Sequence, residues 1–148
     1  MPIAVAADAD LPDLLPLVRA YCDFYGVAPS DEELLALSRE LIADPGRAGF
    51  QLLARDERGT ATGFATVFWT RSTLSASRTA LMNDLFVVPA ARSTGLADAL
   101  IGECERRARD GGATSLTWQT AKHNHRAQAV YERVGATREE WLDYSLNL

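Results

Sequence analysis

Apolar residues recur along the chain at two spacings, which together predict an alternation of strands and helices. Leucines and tyrosines three or four positions apart predict helices, whereas short runs rich in Val, Phe, Thr and Trp predict strands. We predict helices at residues 10–26, 30–44, 95–110 and 124–134, and strands at 3–7, 50–54, 63–69, 80–88, 115–120 and 138–148. The order β-α-α-β-β-β-α-β-α-β predicts an α/β fold in which a mixed sheet carries helices on its faces.

Local signals set several of these boundaries. Ser30, followed three residues later by Glu33, is typical of a capping box at a helix start. The polar stretch at residues 71–78 predicts a loop between the third and fourth strands. The final stretch predicts a closing strand, and its alternating apolar positions also favour a homodimer; they are Trp141, Leu142, Tyr144, Leu146 and Leu148.

The length and composition indicate one globular domain over residues 1–148. At roughly 100–200 residues per domain, 148 residues leave no room for a second one. The apolar share of 47% and the charged share of 24% are those of a folded chain. Because no apolar run is long enough to span a bilayer and the N-terminus lacks a signal-peptide pattern, we expect no membrane association.

Charge and cysteine content narrow the function classes further. The net charge of −5 argues against a nucleic-acid binder, whose affinity would depend on neutralising phosphates. Cys22 and Cys104 lie on apolar helical faces, which predicts buried thiols of a reduced, cytoplasmic protein rather than nucleophiles. His123 and His125 have no acidic cluster near them in the sequence, so we expect no metal site.

The loop between the fourth strand and the third helix is the most informative stretch. Helix N-termini expose unpaired N–H groups and a partial positive charge, which suits a pyrophosphate. Gly95 and Ala97 would let the backbone approach such a ligand closely. Ser93 and Thr94 would add hydroxyl donors, and Arg92 would add a permanent charge. The same residues are also compatible with an ordinary strand–helix connection, and the loop lacks both the Walker A and the G-x-G-x-x-G signatures.

Two motifs resemble those of the GNAT superfamily of N-acetyltransferases. The loop fits the family's pyrophosphate-binding pattern, (Gln or Arg)-x-x-Gly-x-(Gly or Ala), as Arg92-x-x-Gly95-x-Ala97. Farther along, the chain is similar to the family's Asn-x-x-Ala-x-x-x-Tyr-x-x-x-Gly-Phe segment, as Asn124-x-x-Ala127-x-x-x-Tyr131-x-x-x-Gly135-Ala136. The resemblance extends over nearly the whole chain. It implies a GNAT-like fold and direct acetyl transfer from acetyl-CoA to a primary amine, without a metal, and it looks most like the diamine acetyltransferase branch.

The resemblance also implies which residues meet the cofactor. In the family, a backbone N–H of the fourth strand meets the thioester carbonyl, and this position falls on Leu85. Val87 would pair with the pantetheine amides in the manner of an added strand. Phe86 lies between these two residues, and Leu96 at the start of the third helix completes the predicted cofactor-binding segment.

The fourth helix carries the candidate acid. Tyr131 shares a helix face with the small residues Ala127 and Gly135, which leaves space for a ligand. A phenol is protonated at neutral pH and can donate to a leaving thiolate, although a tyrosine that only packs fits the same pattern. At the start of this helix, Asn124 would hold the pantetheine or cap the helix, and we expect Arg126 to be solvated.

Asp84 is the candidate base, because it lies on the fourth strand just before the segment predicted to bind the carbonyl. Diamine acetyltransferases have a glutamate where this chain has Asn83, and an asparagine cannot accept the proton. The role therefore falls to Asp84, to a water chain, or to no residue if the amine arrives neutral. A structural, hydrogen-bonded carboxylate is the alternative for Asp84.

The first helix carries the candidate acceptor site, since this region covers the acceptor in the family. Tyr21, Phe24 and Tyr25 offer aromatic faces, and Asp23 and Asp31 add negative charge nearby. Aromatic rings and carboxylates together favour a small cationic amine, which Asp84 would also attract. Tyr21 and Tyr25 also fit the apolar stripe of the helix, so both are compatible with a role in the core.

The cofactor motifs leave two functions open. A catalytic N-acetyltransferase and a non-catalytic acyl-CoA-binding or regulatory module on the same fold would both bind CoA. Turnover separates the two, and the sequence does not name the acceptor.

Overall fold

Five strands form one mixed sheet in which the order across the sheet follows the order along the chain. The structure is a computed structural model and describes residues 2–148. The strands are β1 (Ile3–Val5), β2 (Gly49–Arg55), β3 (Ala61–Ser72), β4 (Ser77–Val87) and β5 (Leu116–Thr117). The helices are α1 (Leu11–Phe24), α2 (Asp31–Ala43), α3 (Leu96–Asp110) and α4 (His125–Arg133). β1 to β4 pair antiparallel and β5 joins β4 in parallel, which confirms the predicted α/β fold class.

Each face of the sheet has its own hydrophobic core, because successive strand residues point to opposite faces. The core under α1 contains Ala6, Leu11, Leu14, Leu17, Leu53 and Phe64. The core under α3 includes Leu52, Val67, Leu96, Leu100 and Cys104. Both cysteines are free and buried as predicted, and burial raises the pKa of Cys104 to about 12, which keeps that thiol protonated and unreactive. In the described part of the chain, no helix is both long and apolar enough to cross a membrane.

The start of α2 confirms the predicted capping box. The backbone N–H of Glu33 donates to the Ser30 hydroxyl at 3.1 Å, and the N–H of Ser30 donates to the Glu33 carboxylate at 3.0 Å. The two residues thereby satisfy N–H groups that have no partner inside the helix. This contact fixes the point at which the chain turns back toward the sheet after α1.

The hairpin of β3 and β4 extends further than the sequence predicted. Arg71 pairs with Arg78 and Ser72 pairs with Ser77, so the loop predicted at residues 71–78 is wrong except for a turn at 73–76. Polar residues occupy these strand ends because backbone pairing satisfies their N–H and C=O groups while their side chains reach water. The guanidinium of Arg78 also covers the ring of Trp69 at 3.9 Å.

The closing strand predicted at residues 138–148 is also wrong, because this segment forms no strand in the structure. Its alternating apolar side chains are exposed, Trp141 by 79% and Tyr144 by 91%. A strand needs a neighbour to supply its hydrogen bonds, and β5 is two residues long instead of the predicted six. Side-chain hydrogen bonds tie the segment to the fold. Gln119 Nε2 donates to the Asp143 carboxylate at 2.9 Å, and Arg138 donates to Gln128 and to Glu132 of α4, both at 2.9 Å.

Candidate active site

A cleft opens in the sheet where β4 and β5 separate. β5 pairs only with Ala80 and Leu81, whereas β4 continues to Val87 along its other neighbour, β3. The second half of β4 therefore has β3 on one side and an open edge on the other. Backbone groups on that open edge can pair with a ligand as they would with another strand.

A bulge in β4 decides which backbone groups face this cleft. The register with β3 shifts at Thr66, which leaves Asn83 as an extra residue on β4. Beyond the bulge, the N–H of Val88 donates to the Thr62 carbonyl at 2.9 Å and so faces β3. Successive N–H groups of a strand point to opposite sides, so those of Leu85 and Val87 face the cleft. This geometry supports the two backbone donors that the sequence predicted.

The ring of Phe86 lies on the face of the sheet that α1 covers, and not in the cleft. It packs edge-on against Tyr21, with ring centroids 6.4 Å apart, and at a tilt against Phe64 at 6.1 Å. The alternation that turns the neighbouring N–H groups into the cleft turns the N–H of Phe86 toward β3. The structure thus places Phe86 at the core under α1.

The loop before α3 forms an open cradle at the helix N-terminus. Gly95 caps α3 with φ +85°, and a Cβ at this position would have no atom within 4 Å. The first backbone bond of the helix runs from the N–H of Ala99 to the Gly95 carbonyl at 3.0 Å, so the preceding N–H groups have no helical partner. Leu96 is fully buried, which restricts its predicted contribution to the backbone N–H. An anion has both the space and the donors it needs here.

The polar side chains of this loop are partly engaged within the protein. Arg92 Nε donates to the Val87 carbonyl at 3.1 Å, which ties the loop to the end of β4. The Thr94 hydroxyl donates to the Ala91 carbonyl at 2.6 Å. Arg126, which the sequence predicted to be solvated, is exposed but lies 3.4 Å from the Ser93 hydroxyl. Two arginines therefore flank the loop, in an electrostatic setting that suits a phosphate.

α4 presents Asn124 and Tyr131. The Asn124 side chain accepts from the N–H of Ala127 at 3.2 Å, which confirms its role as a helix cap. Tyr131 packs edge-on against Trp118, with ring centroids 5.3 Å apart, and is half-buried. Burial raises the pKa of Tyr131, and the neighbouring Tyr25 raises it further to a smaller extent. The phenol therefore stays protonated at neutral pH.

Asp84 lies just beyond the bulge and faces α1. Burial raises the pKa of this carboxyl group, and the polar side chains of Thr66, Tyr21 and Asn83 oppose that rise. The side-chain amide of Asn83 donates to the Asp84 carboxylate at 3.0 Å. The Tyr21 phenol lies over the bulge and donates to the Asn83 carbonyl at 3.4 Å. Burial and the nearby Asp84 raise the pKa of Tyr21, which keeps this phenol protonated. A carboxylate with a raised pKa at the edge of a cleft has the properties of a general base.

The aromatic residues predicted for the acceptor site do come together. The ring of Tyr25 lies 5.0 Å from that of Tyr21 and 5.2 Å from that of Phe24. Tyr25 and Phe24 are exposed, so these two residues belong to an accessible surface instead of the core. Asp31 forms an ion pair with Arg19 at 2.5 Å, and its charge is therefore largely neutralised.

Sequence reasoning missed Trp118 and Thr66. Trp118 follows β5 and covers one side of Tyr131, and an aromatic residue just past a short strand was its only signal. Thr66 is fully buried opposite Asp84, and a threonine inside a largely apolar strand gives no signal in the sequence. Among residues 2–148, no group of three or more His, Cys, Asp or Glu side chains is arranged to hold a metal ion.

Comparison with known proteins identifies this arrangement. Residues 14–136 match the acetyltransferase (GNAT) family, which is most of the chain and includes β4, the loop and α4. The chain belongs to the GNAT family of acetyltransferases. Membership confirms the enzyme class predicted from the two motifs, an N-acetyltransferase.

Relatives of this GNAT enzyme match it over its whole length. It is 32% identical to the uncharacterized N-acetyltransferase YhfO of Bacillus subtilis (strain 168), over 100% of this chain and 98% of that protein. A crystal structure of a probable acetyltransferase is 29% identical and superposes with a TM-score of 0.87, covering 100% of this chain and 98% of the other. The aminoglycoside N-acetyltransferase AAC(6')-Iy in complex with CoA is 20% identical and shares the fold, with a TM-score of 0.86 over 99% of this chain and 93% of that one.

Proposed function

We propose that this GNAT enzyme transfers the acetyl group of acetyl-CoA directly to a small cationic primary amine. The observation that carries the proposal is the position of Asp84, a partly buried carboxylate at the cleft beside an aromatic surface. A module that only binds acyl-CoA has no use for a base at this place. In a non-catalytic regulator, Asp84 would be only a hydrogen-bonded structural carboxylate.

The cofactor is proposed to lie along the open edge of β4. The pyrophosphate would occupy the cradle at Gly95, where N–H groups converge and no atom lies within 4 Å of the missing Cβ. Pantetheine would extend from there along the edge and pair with the N–H of Val87. The thioester carbonyl would then meet the N–H of Leu85, which stabilises the oxyanion that forms during attack.

The transfer requires the nitrogen to lose two protons and the sulfur to gain one. The amine nitrogen attacks the thioester carbon, a C–N bond forms, and the C–S bond breaks to release the CoA thiolate. Asp84 takes the proton that the ammonium must lose, and its raised pKa makes it a better base than an exposed aspartate. Tyr131 protonates the thiolate. The nitrogen loses a second proton to solvent as the amide forms, and the phenolate of Tyr131 regains its proton from solvent.

The aromatic surface and Asp84 together favour a cationic acceptor. The rings of Tyr21, Phe24 and Tyr25 offer faces to an ammonium group, and Asp84 offers the opposite charge. Acidic amines would meet repulsion from Asp84 and from a chain of net charge −5. Diamines belong to the favoured class, although none of the three similar proteins above is named for a diamine.

The Asp84→Asn variant tests this proposal. It keeps the shape of the side chain and removes both the charge and the base. We expect the KM for a cationic amine to rise and kcat to fall about 100-fold at neutral pH, the lower range for a positioned base. The loss should be largest below the pKa of the amine, where nearly all of the acceptor carries a proton. Raising the pH should restore part of kcat, because more amine then arrives neutral.

The control for this experiment is Asp110→Asn, which makes the same change at the exposed end of α3. It should leave both constants unchanged, since it alters the net charge without touching the cleft. If Asp84→Asn shows the unaltered pH–rate profile of the parent enzyme, Asp84 has no part in proton transfer and a water chain takes its place.

We also propose that the enzyme is a cytoplasmic homodimer. The C-terminal segment supports the homodimer, because its apolar side chains, such as Trp141 and Tyr144, are exposed in the single chain. Light scattering should give about twice the mass of one chain. A monomer at the concentrations used in assays would contradict the proposal.

A further inference from the structure

Three polar side chains form a row across the sheet that ends at the candidate base. Gln51 of β2 is paired with Thr66 of β3, and Thr66 is paired with Asp84 of β4. The row lies on the face under α1, because Leu53 and Phe64, two positions along their strands, belong to the core on that side. Thr66 is 0% exposed and Gln51 is 6% exposed, so this is a polar connection inside an apolar core.

In this row, each side chain donates toward the next one in the direction of Asp84. Gln51 Nε2 donates to Thr66 Oγ1 at 3.1 Å. A hydroxyl group has a single hydrogen, and the oxygen of Thr66 already accepts from Gln51, so that hydrogen is available to Asp84, which lies directly opposite Thr66 on β4 and whose pKa Thr66 lowers. The amide thus orients the hydroxyl, and the hydroxyl orients the carboxylate.

Packing alone does not account for a threonine at this position. Burying a hydroxyl group costs free energy unless it is hydrogen-bonded, and valine has nearly the same shape without that cost. The hydroxyl of Thr66 is therefore explained by its partners. One of them, Asp84, is the residue that needs a defined orientation for proton transfer.

We propose that Thr66 and Gln51 are positioning residues that hold the Asp84 carboxylate toward the acceptor amine. The inference rests on the proposed function, since it assigns Asp84 the role of base. Asp84 is also faced by Tyr21 from α1 and by Asn83 from β4 itself, and Tyr25 lies beyond Tyr21. Tyr21 titrates, but burial raises its pKa, so it stays neutral while Asp84 ionises.

The test is the pH profile of kcat/KM in Thr66→Val. A hydrogen bond to the carboxylate stabilises its charged form, so the bond from Thr66 lowers the pKa of Asp84 against the effect of burial. Without it, the pKa rises and the base becomes active only at higher pH. We expect the acidic limb to move up by about one pH unit, as the loss of one hydrogen bond to a charged group implies. The ionisation of the amine is common to all variants and cancels in the comparison.

Two further variants test whether the shift of the acidic limb depends on the side chains of Thr66 and Gln51. Thr66→Ser keeps the hydroxyl group and should restore the parent profile. Gln51→Met removes the donor but leaves the hydroxyl free to reach Asp84, so it should shift the limb in the same direction by a smaller amount. A Thr66→Ser profile that matches Thr66→Val would overturn the proposal.

Thr62→Val is the matched control. Thr62 is another buried threonine on the same face of β3, but its hydroxyl donates to the Ala54 carbonyl at 3.4 Å and is remote from Asp84. This variant should retain the parent profile even if its stability falls. An equal shift in both valine variants, or no shift in a folded Thr66→Val enzyme, contradicts the proposal.

The outcome for Asp84→Asn separates this proposal from the proposed function. If Asp84→Asn changes the acidic limb to the one set by the amine alone, and yet Thr66→Val keeps the parent profile, Asp84 is the base and Thr66 does not affect its pKa. If the profile of Asp84→Asn equals that of the parent enzyme, the proposed function fails at the base, and the positioning role fails with it.

Discussion

A Gly95→Glu enzyme should fold normally and show no measurable binding of acetyl-CoA. The glutamate would fill the cradle before α3, where a Cβ at Gly95 has no atom within 4 Å, and would bring a negative charge to the proposed pyrophosphate site. Its carboxylate would also satisfy the N–H groups of the helix start that the phosphate needs. Isothermal titration calorimetry with acetyl-CoA measures the loss.

The backbone at this position calls for a matched control. Gly95 has φ +85°, so any side chain adds strain there. Gly112 has φ +83° and open space at the other end of α3, and Gly112→Glu adds the same strain and the same charge far from the loop. The control should bind acetyl-CoA normally. Equal affinity in folded Gly95→Glu would show that the pyrophosphate does not bind at this loop.

A Tyr131→Phe enzyme should lose about 10²–10⁴-fold in kcat, the usual contribution of a positioned proton donor. The change keeps the ring and its edge-on contact with Trp118, whose centroid lies 5.3 Å away, and removes the one proton that the thiolate needs. The KM for acetyl-CoA should change far less, because the phenol acts late in the reaction. Steady-state kinetics with saturating amine separates the two constants.

The control for the phenol is Tyr144→Phe, which removes the same hydroxyl group from the exposed C-terminal segment. It should behave as the parent enzyme. Unchanged kcat in Tyr131→Phe would leave Tyr131 with a packing role against Trp118, and the thiolate would then leave without help or take its proton from water.

Helix ends and amphipathic helices could be predicted from the sequence because they depend on residues close together along the chain. The capping box of Ser30 and Glu33 depends on residues three apart, and the structure shows both of its hydrogen bonds. The turn at Gly95 could be predicted for the same reason, since a glycine directly before an apolar helix marks a turn.

The prediction of a C-terminal strand was wrong, because alternating apolar residues indicate which side of a strand would be buried but not whether a neighbouring strand exists to pair with it. β5 is two residues long, so the segment around Trp141 lacks a pairing edge in the single chain. The sequence also underestimated the hairpin at Arg71 and Arg78, where cross-strand pairing outweighs the polar character of the residues.

The same distinction between local and long-range causes applies to the residues of the candidate site. The sequence predicted Tyr131 on the fourth helix and Asp84 on the fourth strand, and the structure has both residues on those elements, because each lies in a contiguous, patterned stretch. The contribution of Thr66 depends on the register of three strands and on the bulge at Asn83, and these are long-range properties of the sheet. No local pattern specifies them.

Thiol release from acetyl-CoA across a panel of amines shows whether the enzyme acetylates a cationic amine. The panel should contain cationic diamines and aminoglycosides, neutral amines, and acidic amino acids at one pH, with the acetylated product identified by mass. We expect CoA release that depends on the amine and is fastest with a cationic acceptor, because Asp84 and the aromatic surface of α1 attract the ammonium group. Fastest turnover with an acidic or neutral amine would contradict the proposed acceptor, and tight acetyl-CoA binding without turnover of any amine would contradict catalysis itself.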